Sequence, residues 1–177
     1  FLPQEAPKCT LMAATAITKA IEDVTGVKVG IKWPNDVLIN GKKIAGILSE
    51  TVMQGSNFKG LVLGIGVNLN ASKGDLSLIT DKEATALNLE IAQTVNVEEF
   101  LDKLAQNFFA DYDKFLEKGF ELIKSDYVSR TCFLDTEICV QVFNDKKCGI
   151  AREINNKGEL VMYDNENEFV LTIGDIL

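Results

Sequence analysis

The sequence contains no histidine and only two arginines, Arg130 and Arg152. Without histidine the chain cannot form a Ser-His-Asp or Cys-His catalytic site, or a zinc site of mixed cysteine and histidine ligands. Any chemistry must therefore use lysines, carboxylates, amides or backbone groups. The four cysteines have no Cys-x-x-Cys spacing, and we expect them to be reduced thiols, as is usual in the cytoplasm.

Long apolar runs are also missing. No stretch of about 18 uncharged apolar residues is present, and the first residues have neither the basic nor the apolar region of a secretion signal. We therefore expect a cytoplasmic protein without a membrane span. The 177 residues are 46% hydrophobic, enough for a core in one domain or two small ones. The net charge of -8 disfavours binding to bulk nucleic acid.

Apolar spacing and turn residues predict the elements of the first half. A period of three to four residues predicts a helix over residues 10–25. Asn40-Gly41 between two apolar runs predicts a tight hairpin. The nearly unbroken apolar run 61–67 predicts a central strand buried on both faces, and the polar segment 71–81 predicts a mobile loop.

In the second half of the sequence, the spacing of apolar residues changes from a helical period to the alternation typical of strands. Asn96, followed three residues later by Glu99, predicts the start of a helix that ends near Gly119. Beyond Arg130, short alternating strands are separated by Asn, Asp and Gly. This pattern predicts a small antiparallel barrel.

Three segments contain residues that could carry chemistry. They are Lys32-Trp33-Pro34-Asn35-Asp36, then Lys43 with Gly46-Ile47-Leu48-Ser49-Glu50, and Gly64-Ile65-Gly66-Val67-Asn68. Each alone has an ordinary explanation: a surface turn, a solvated edge-strand lysine, and a Gly-x-Gly pair without the third glycine of a dinucleotide fingerprint.

Taken together and in this order, the three segments closely resemble biotin protein ligase, and the similarity covers nearly the whole chain. The resemblance implies an α+β fold with two parts. Residues 1–129 would form a partial catalytic domain, a mixed sheet with helices related to class II aminoacyl-tRNA synthetases. Residues 130–177 would form a small SH3-like β-barrel. Such ligases join biotin to ATP as biotinyl-5′-AMP, then transfer biotin to a lysine of a biotin carboxyl carrier protein or domain.

The resemblance also implies roles for individual residues. Lys43 matches the lysine that contacts the biotin carboxylate and the α-phosphate, and with Lys32 it would be catalytic. ATP and its Mg²⁺ would lie on the side of Lys32, Asn35 and Asp36, with no residue acting as a dedicated metal ligand. Asn68 matches an adenine-contacting residue, and segment 71–81 matches a loop that folds over the adenylate. The strands against which biotin lies are matched by Lys43, Gly46, Ile47, Gly64 and Gly66.

The sequence departs from the family in one respect. Members carry a Ser-Thr-Asn strand, a biotin-contacting Gln and a Gly-Arg-Gly-Arg loop upstream of the helix that here begins near Thr10, and none of these occurs in this chain. We therefore expect an incomplete catalytic domain with little or no ligase activity by itself. We also expect no DNA-binding winged helix in this chain, and a homodimer formed through a sheet edge is compatible with the resemblance.

Two other functions stay open from the residues. A lipoate-ligase-like adenylating enzyme would share the fold type and the adenylate chemistry. A non-catalytic module that binds a ligand or a protein is the alternative from a different class.

Overall fold

The computed structural model describes residues 5–76, 84–165 and 167–177. The helices are α1 (Ala6–Thr25), α2 (Lys73–Leu76), α3 (Leu87–Ile91), α4 (Val97–Lys118) and α5 (Glu121–Ser129). The strands are β1 (Gly30–Lys32), β2 (Asp36–Ile39), β3 (Lys42–Gln54), β4 (Asn57–Val67), β5 (Glu137–Val142), β6 (Asp145–Ile154), β7 (Leu160–Asp164), β8 (Asn167–Leu171) and β9 (Asp175–Ile176). In the described part of the chain, no helix has the length and apolarity needed to cross a membrane.

The first sheet has the strand order β1-β2-β3-β4, and each neighbouring pair is antiparallel. Consecutive strands joined by short turns pair in this way, so the described residues form an antiparallel sheet where a mixed one was expected. Asn40 and Gly41 have φ values of 51° and 77° in the turn between β2 and β3. Two positive φ values are what a two-residue hairpin turn requires, and the predicted hairpin is confirmed.

Helix α1 covers one face of this sheet. Ile17 and Ile21 are fully buried in the same core cluster as Val37, Ala45 and Ile47 of the sheet. The helix packs against all four strands. The opposite face of the sheet is therefore the one on which polar side chains can meet a ligand.

Strand β4 does not have the predicted position. It is an edge strand of the sheet among the described residues, and its side chains alternate between half-buried and exposed. Val62 is 52% exposed, whereas Leu63 and Ile65 pack against the core. The apolar run hid this alternation because its outward positions are Val62 and two glycines. Of the predicted loop 71–81, α2 is described and residues 77–81 lie outside the described residues.

The long helix α4 begins at the predicted cap. The Asn96 side chain accepts hydrogen bonds from the backbone N–H groups of Glu98 and Glu99, at 3.0 and 3.2 Å. Helix α4 packs against α1, and the buried Asp111 carboxylate accepts a hydrogen bond of 2.7 Å from the Lys19 ammonium. This ion pair fixes the two helices behind the first sheet.

The second sheet contains five antiparallel strands in the order β8-β7-β6-β5-β9. No pairing between described strands joins β8 to β9, so this sheet is open and a closed barrel is not found. The short β9 pairs with only two residues of β5. The predicted strands are present, but their closure into a barrel is not.

Cys139 and Cys148 form a disulfide, which corrects the expectation that all four cysteines are reduced. They are directly opposite each other on β5 and β6, with their Cα atoms 4.1 Å apart. The sequence alone does not predict this disulfide, because the contact depends on the register of a hairpin whose turn lies at residues 143–144. Cys9 and Cys132 are free thiols.

Thiol titration checks this pairing. We expect the unfolded protein to react with two equivalents of a thiol reagent without reductant and with four after reduction, since Cys9 and Cys132 are free and the other two cysteines are paired. In the folded protein Cys132 should react first, because Cys9 is buried and burial raises the pKa of its thiol to about 11. Four thiols without reduction would contradict the disulfide.

Candidate functional site

Four of the residues singled out in the sequence lie in one row across the first sheet. The register pairs Lys32 of β1 with Asp36 of β2, Asp36 with Gly46 of β3, and Gly46 with Gly66 of β4. Directly opposed residues of antiparallel strands point to the same face. The row therefore brings a cation, a carboxylate and two positions without side chains onto the face opposite α1.

A β-bulge brings Lys43 to the same face. Strict alternation along β3 would place Lys43 and Gly46, three residues apart, on opposite faces. The register shifts between Val37 and Leu38, so that Val37 pairs with Ala45 while Leu38 pairs with Lys43. The extra residue, Ile44, reverses the alternation and turns Lys43 toward Asp36.

Lys43 and Asp36 form an ion pair over Gly46. The ammonium of Lys43 contacts Oδ1 of Asp36, whose side chain is only 3% exposed, whereas that of Lys43 is 32% exposed. A Cβ atom at Gly46 would lie 3.1 Å from Cε and 3.2 Å from Nζ of Lys43. The missing side chain at Gly46 therefore makes the space that the lysine occupies, and the buried carboxylate holds the ammonium there.

Beyond this pair the site face is an open platform on β3 and β4. Gly66 and Gly64 oppose Gly46 and Leu48, and Leu48 is 62% exposed. Ile47 lies between Gly46 and Leu48 in sequence, but its side chain is buried in the core on the α1 face. Of the matched positions on these strands, the glycines thus line the platform, and Ile47 contributes its backbone and core packing.

The ammonium of Lys32 is held by the other end of the chain. It donates a hydrogen bond of 2.7 Å to the backbone carbonyl of Ile176, and its Nζ lies 3.6 Å from Oδ1 of Asp175. Sequence reasoning missed both partners, because they are more than 140 residues away along the chain and belong to the second sheet. No local pattern indicates such a contact.

Asn35 and Asn68 fasten the segments around the row. The Asn35 side-chain amide donates to the backbone carbonyl of Ile47 at 3.0 Å, and the backbone carbonyl of Asn35 accepts from the Ile47 N–H at 2.9 Å. The Asn68 amide donates to the carbonyl of Thr85 at 3.0 Å, beside the bulge. In this structure both side chains make protein contacts, which position the turn at residues 32–36 and the segment that begins at Thr85.

The row can hold anions. Lys32 and Lys43 supply two cations, and the one carboxylate of the row, Asp36, is buried beneath Lys43. Lysine ammonium groups bind carboxylates and phosphates as point charges. The glycine platform beside them offers backbone and space, which suits a ligand with an anionic end and a flat or apolar body.

Comparison with known proteins places the chain in a family. A family model described as the biotin/lipoate A/B protein ligase family matches residues 1–68. The bifunctional ligase/repressor BirA of Bacillus subtilis is 31% identical over 163 residues, which cover 92% of this chain and 50% of that protein. The biotin--[acetyl-CoA-carboxylase] ligase of Paracoccus denitrificans is 32% identical over 161 residues, covering 89% of this chain and 67% of the relative. The chain thus spans about half the length of the first relative and two thirds of the other.

Solved structures show the same fold. The crystal structure of biotin protein ligase from Aquifex aeolicus superimposes with a TM-score of 0.85 and 24% identity, over 99% of this chain and 75% of that one. The same ligase in complex with biotin and ATP gives a TM-score of 0.83 over 74% of its length. The fold and the two bacterial relatives agree, and the chain belongs to the biotin protein ligase family.

Proposed function

We propose that this chain carries the part of a biotin protein ligase that binds biotin and ATP and joins them as biotinyl-5′-AMP. The observation that carries the proposal is the row of Lys32, Asp36, Gly46 and Gly66, with Lys43 turned into it by the bulge. Two cations next to a glycine platform match a reaction between two anions, a carboxylate and a triphosphate.

Lys43 would act on both reactants. A carboxylate oxygen of biotin attacks the α-phosphorus of ATP, the bond from that phosphorus to the bridging oxygen breaks, and pyrophosphate leaves. The ammonium of Lys43 holds the two mutually repelling anions together and balances the charge that develops on the α-phosphoryl oxygens. Asp36 holds the ammonium in place, because its buried carboxylate contacts Nζ of Lys43.

Lys32 would serve the nucleotide end of the site, with Asn35, Asp36 and Asn68 around it. Mg²⁺ would be bound mainly by the phosphates of ATP, because the only carboxylate of the row is paired with Lys43. The role of these residues is therefore to orient the nucleotide.

The second step would transfer biotin to a carrier. The ε-amine of a lysine on a biotin carboxyl carrier protein or domain attacks the carbonyl carbon of the adenylate, an amide forms and AMP leaves. The five-stranded sheet, for which the resemblance implies an SH3-like barrel, contacts the first sheet at the Lys32 end of the row, where Lys32 donates to the Ile176 carbonyl. We propose that it supports the nucleotide end while the open platform receives biotin.

We further propose that the isolated chain is a slow enzyme. Its two arginines are both engaged elsewhere: Arg130 pairs with Glu22 and Asp126, and Arg152 pairs with Asp135. Among the described residues, the positive charge of the row therefore comes from Lys32 and Lys43. Removing one charge-stabilising donor from such a site typically slows the reaction by a factor of about 100 to 1000.

Biotin-dependent ATP–pyrophosphate exchange tests the proposal. We expect the purified chain to exchange pyrophosphate only when biotin is present, roughly 100-fold or more slowly than a ligase that carries the arginine loop. A biotinyl-adenylate analogue with a non-hydrolysable linkage should bind the chain and inhibit the exchange.

Three outcomes of this experiment would go against the proposal. Exchange that needs lipoate instead of biotin would favour the lipoate-ligase-like reaction. Binding of a protein partner that survives Lys43→Ala, without any exchange, would favour the non-catalytic module. Absence of both exchange and analogue binding would overturn the proposed function for this chain.

A further inference from the structure

The last strand of the chain holds the first cation of the row. Lys32 is 15% exposed, and its ammonium donates to the Ile176 carbonyl at 2.7 Å while lying 3.6 Å from the Asp175 carboxylate. Asp175 is itself 46% exposed, so its attraction is partly screened by water. By distance, the neutral carbonyl of Ile176 is the closer of these two partners.

Strand β9 is itself well anchored. Ile176 is 4% exposed and pairs with Val140, Asp175 pairs with Gln141, and the N–H of Leu177 donates to the Cys139 carbonyl at 2.9 Å. A Cβ atom at Gly174 would lie 2.5 Å from the Val140 side chain, so only glycine lets the chain turn closely into β9. The group that holds Lys32 is thus fixed to the second sheet.

A second contact joins the same turn to the second half of the chain. The indole N–H of Trp33 donates to the Gly158 carbonyl at 3.1 Å, and Trp33 is 1% exposed. Lys32 and Trp33, which are adjacent in sequence, therefore contact the second half of the chain at two separate places, Ile176 and Gly158. Because Trp33 is the only tryptophan of the chain, its fluorescence reports on this junction alone.

We infer that Asp175 and the Ile176 carbonyl, the C-terminal clamp, are positioning groups that pre-orient Lys32 for the nucleotide. The inference rests on the proposed function, since it makes β9 a working part of the nucleotide end of that site. A free lysine side chain loses rotamer freedom when it binds a phosphate, and one that is already held does not. Loosening the clamp should therefore weaken nucleotide binding without touching the biotin platform.

The first experiment observes Lys32 without any ligand. In protein labelled with ¹³C-lysine, the Cε signal that disappears in Lys32→Met reports the mobility of this side chain. We expect restricted motion in the unaltered chain and faster motion in Asp175→Asn, with a larger effect on deletion of residues 175–177. Asp145→Asn, an exposed change of the same charge at the start of β6, is the matched control and should leave Lys32 restricted. Unchanged motion in both altered proteins would overturn the inference.

The second experiment measures nucleotide use. We expect Asp175→Asn to raise the KM or Kd for ATP by about three- to tenfold. The affinity for biotin and the emission maximum of Trp33 should stay unchanged, and Asp175→Glu should restore most of the loss. In a Lys32→Met background, Asp175→Asn should have no further effect, because the clamp acts through Lys32.

The outcomes separate the two proposals. Increased mobility of Lys32 with unchanged ATP affinity would overturn the positioning role. Equal losses for ATP and biotin, or a Trp33 emission shift that follows them, would indicate a structural role only and would also overturn it. If the unaltered chain binds no ATP while the clamp still restricts Lys32, the proposed function fails and the contact between β9 and Lys32 is left as a structural one.

Discussion

Replacing Lys43 by alanine is expected to slow biotin-dependent pyrophosphate exchange by at least about 100-fold. The same change should weaken binding of the non-hydrolysable biotinyl-adenylate analogue by at least about tenfold, because one buried charge-assisted contact is lost. The reason is geometric: the bulge at Ile44 turns this ammonium into the row, and Lys32, the other described cation of the row, is held by the second sheet. Exchange kinetics and calorimetric titration of the analogue measure the two effects.

The loss must be separated from unfolding. Lys43→Ala removes the Lys43 partner of the buried Asp36 carboxylate, which should lower the free energy of unfolding by about 1–3 kcal/mol. Combining Lys43→Met with Asp36→Asn removes both charges and should recover stability while leaving exchange lost. Lys147→Ala, at an exposed position of β6, is the matched control and should change neither quantity. Full exchange in Lys43→Ala would refute the role of this lysine.

Local chemistry was enough to predict several elements of the fold. The Asn40-Gly41 turn and the Asn96 cap are both present, because each depends on backbone geometry within a few residues. The strand run of the second half was also predicted, since alternation and turn residues act locally. Its closure into a barrel depends on which distant edges pair, and that information is not local.

The contacts that build the site could be predicted only in part. The order of the three segments pointed to the right family, but the spacing of Lys43 and Gly46 on a regular strand would have separated them onto two faces. The bulge that unites them depends on pairing with β2. Likewise the partners of Lys32 depend on contacts between distant parts of the chain, and the Cys139–Cys148 disulfide depends on the register of β5 and β6. The apolar pattern also predicted the wrong position for β4, because a run of glycine and aliphatic residues occurs both in edge strands and in central strands of a sheet.

Replacing Gly46 by valine is expected to reduce exchange to the level of Lys43→Ala without changing any charge. The Cβ atom would already lie 3.1 Å from Cε and 3.2 Å from Nζ of Lys43, and 3.7 Å from Oδ1 of Asp36. The two methyl groups of valine need further space, so the ammonium must leave the carboxylate. We expect a loss of at least about 100-fold in exchange and of about 1–3 kcal/mol in stability, because Asp36 loses its ion pair with Lys43. Gly46→Ala, which asks for a shift of a few tenths of an ångström, should give an intermediate loss.

Gly60→Val is the matched control for this change, because a Cβ atom at Gly60 of the neighbouring strand β4 meets nothing within 4 Å. Valine is favourable in strands, so the control should keep both exchange and stability. In the combined variant Gly46→Val with Lys43→Ala, the loss should equal that of Lys43→Ala alone, since both changes remove the same ammonium from the row. Additive losses would mean that Gly46 contacts the ligand directly, and unchanged exchange in Gly46→Val would mean that the ion pair over Gly46 has no part in the reaction.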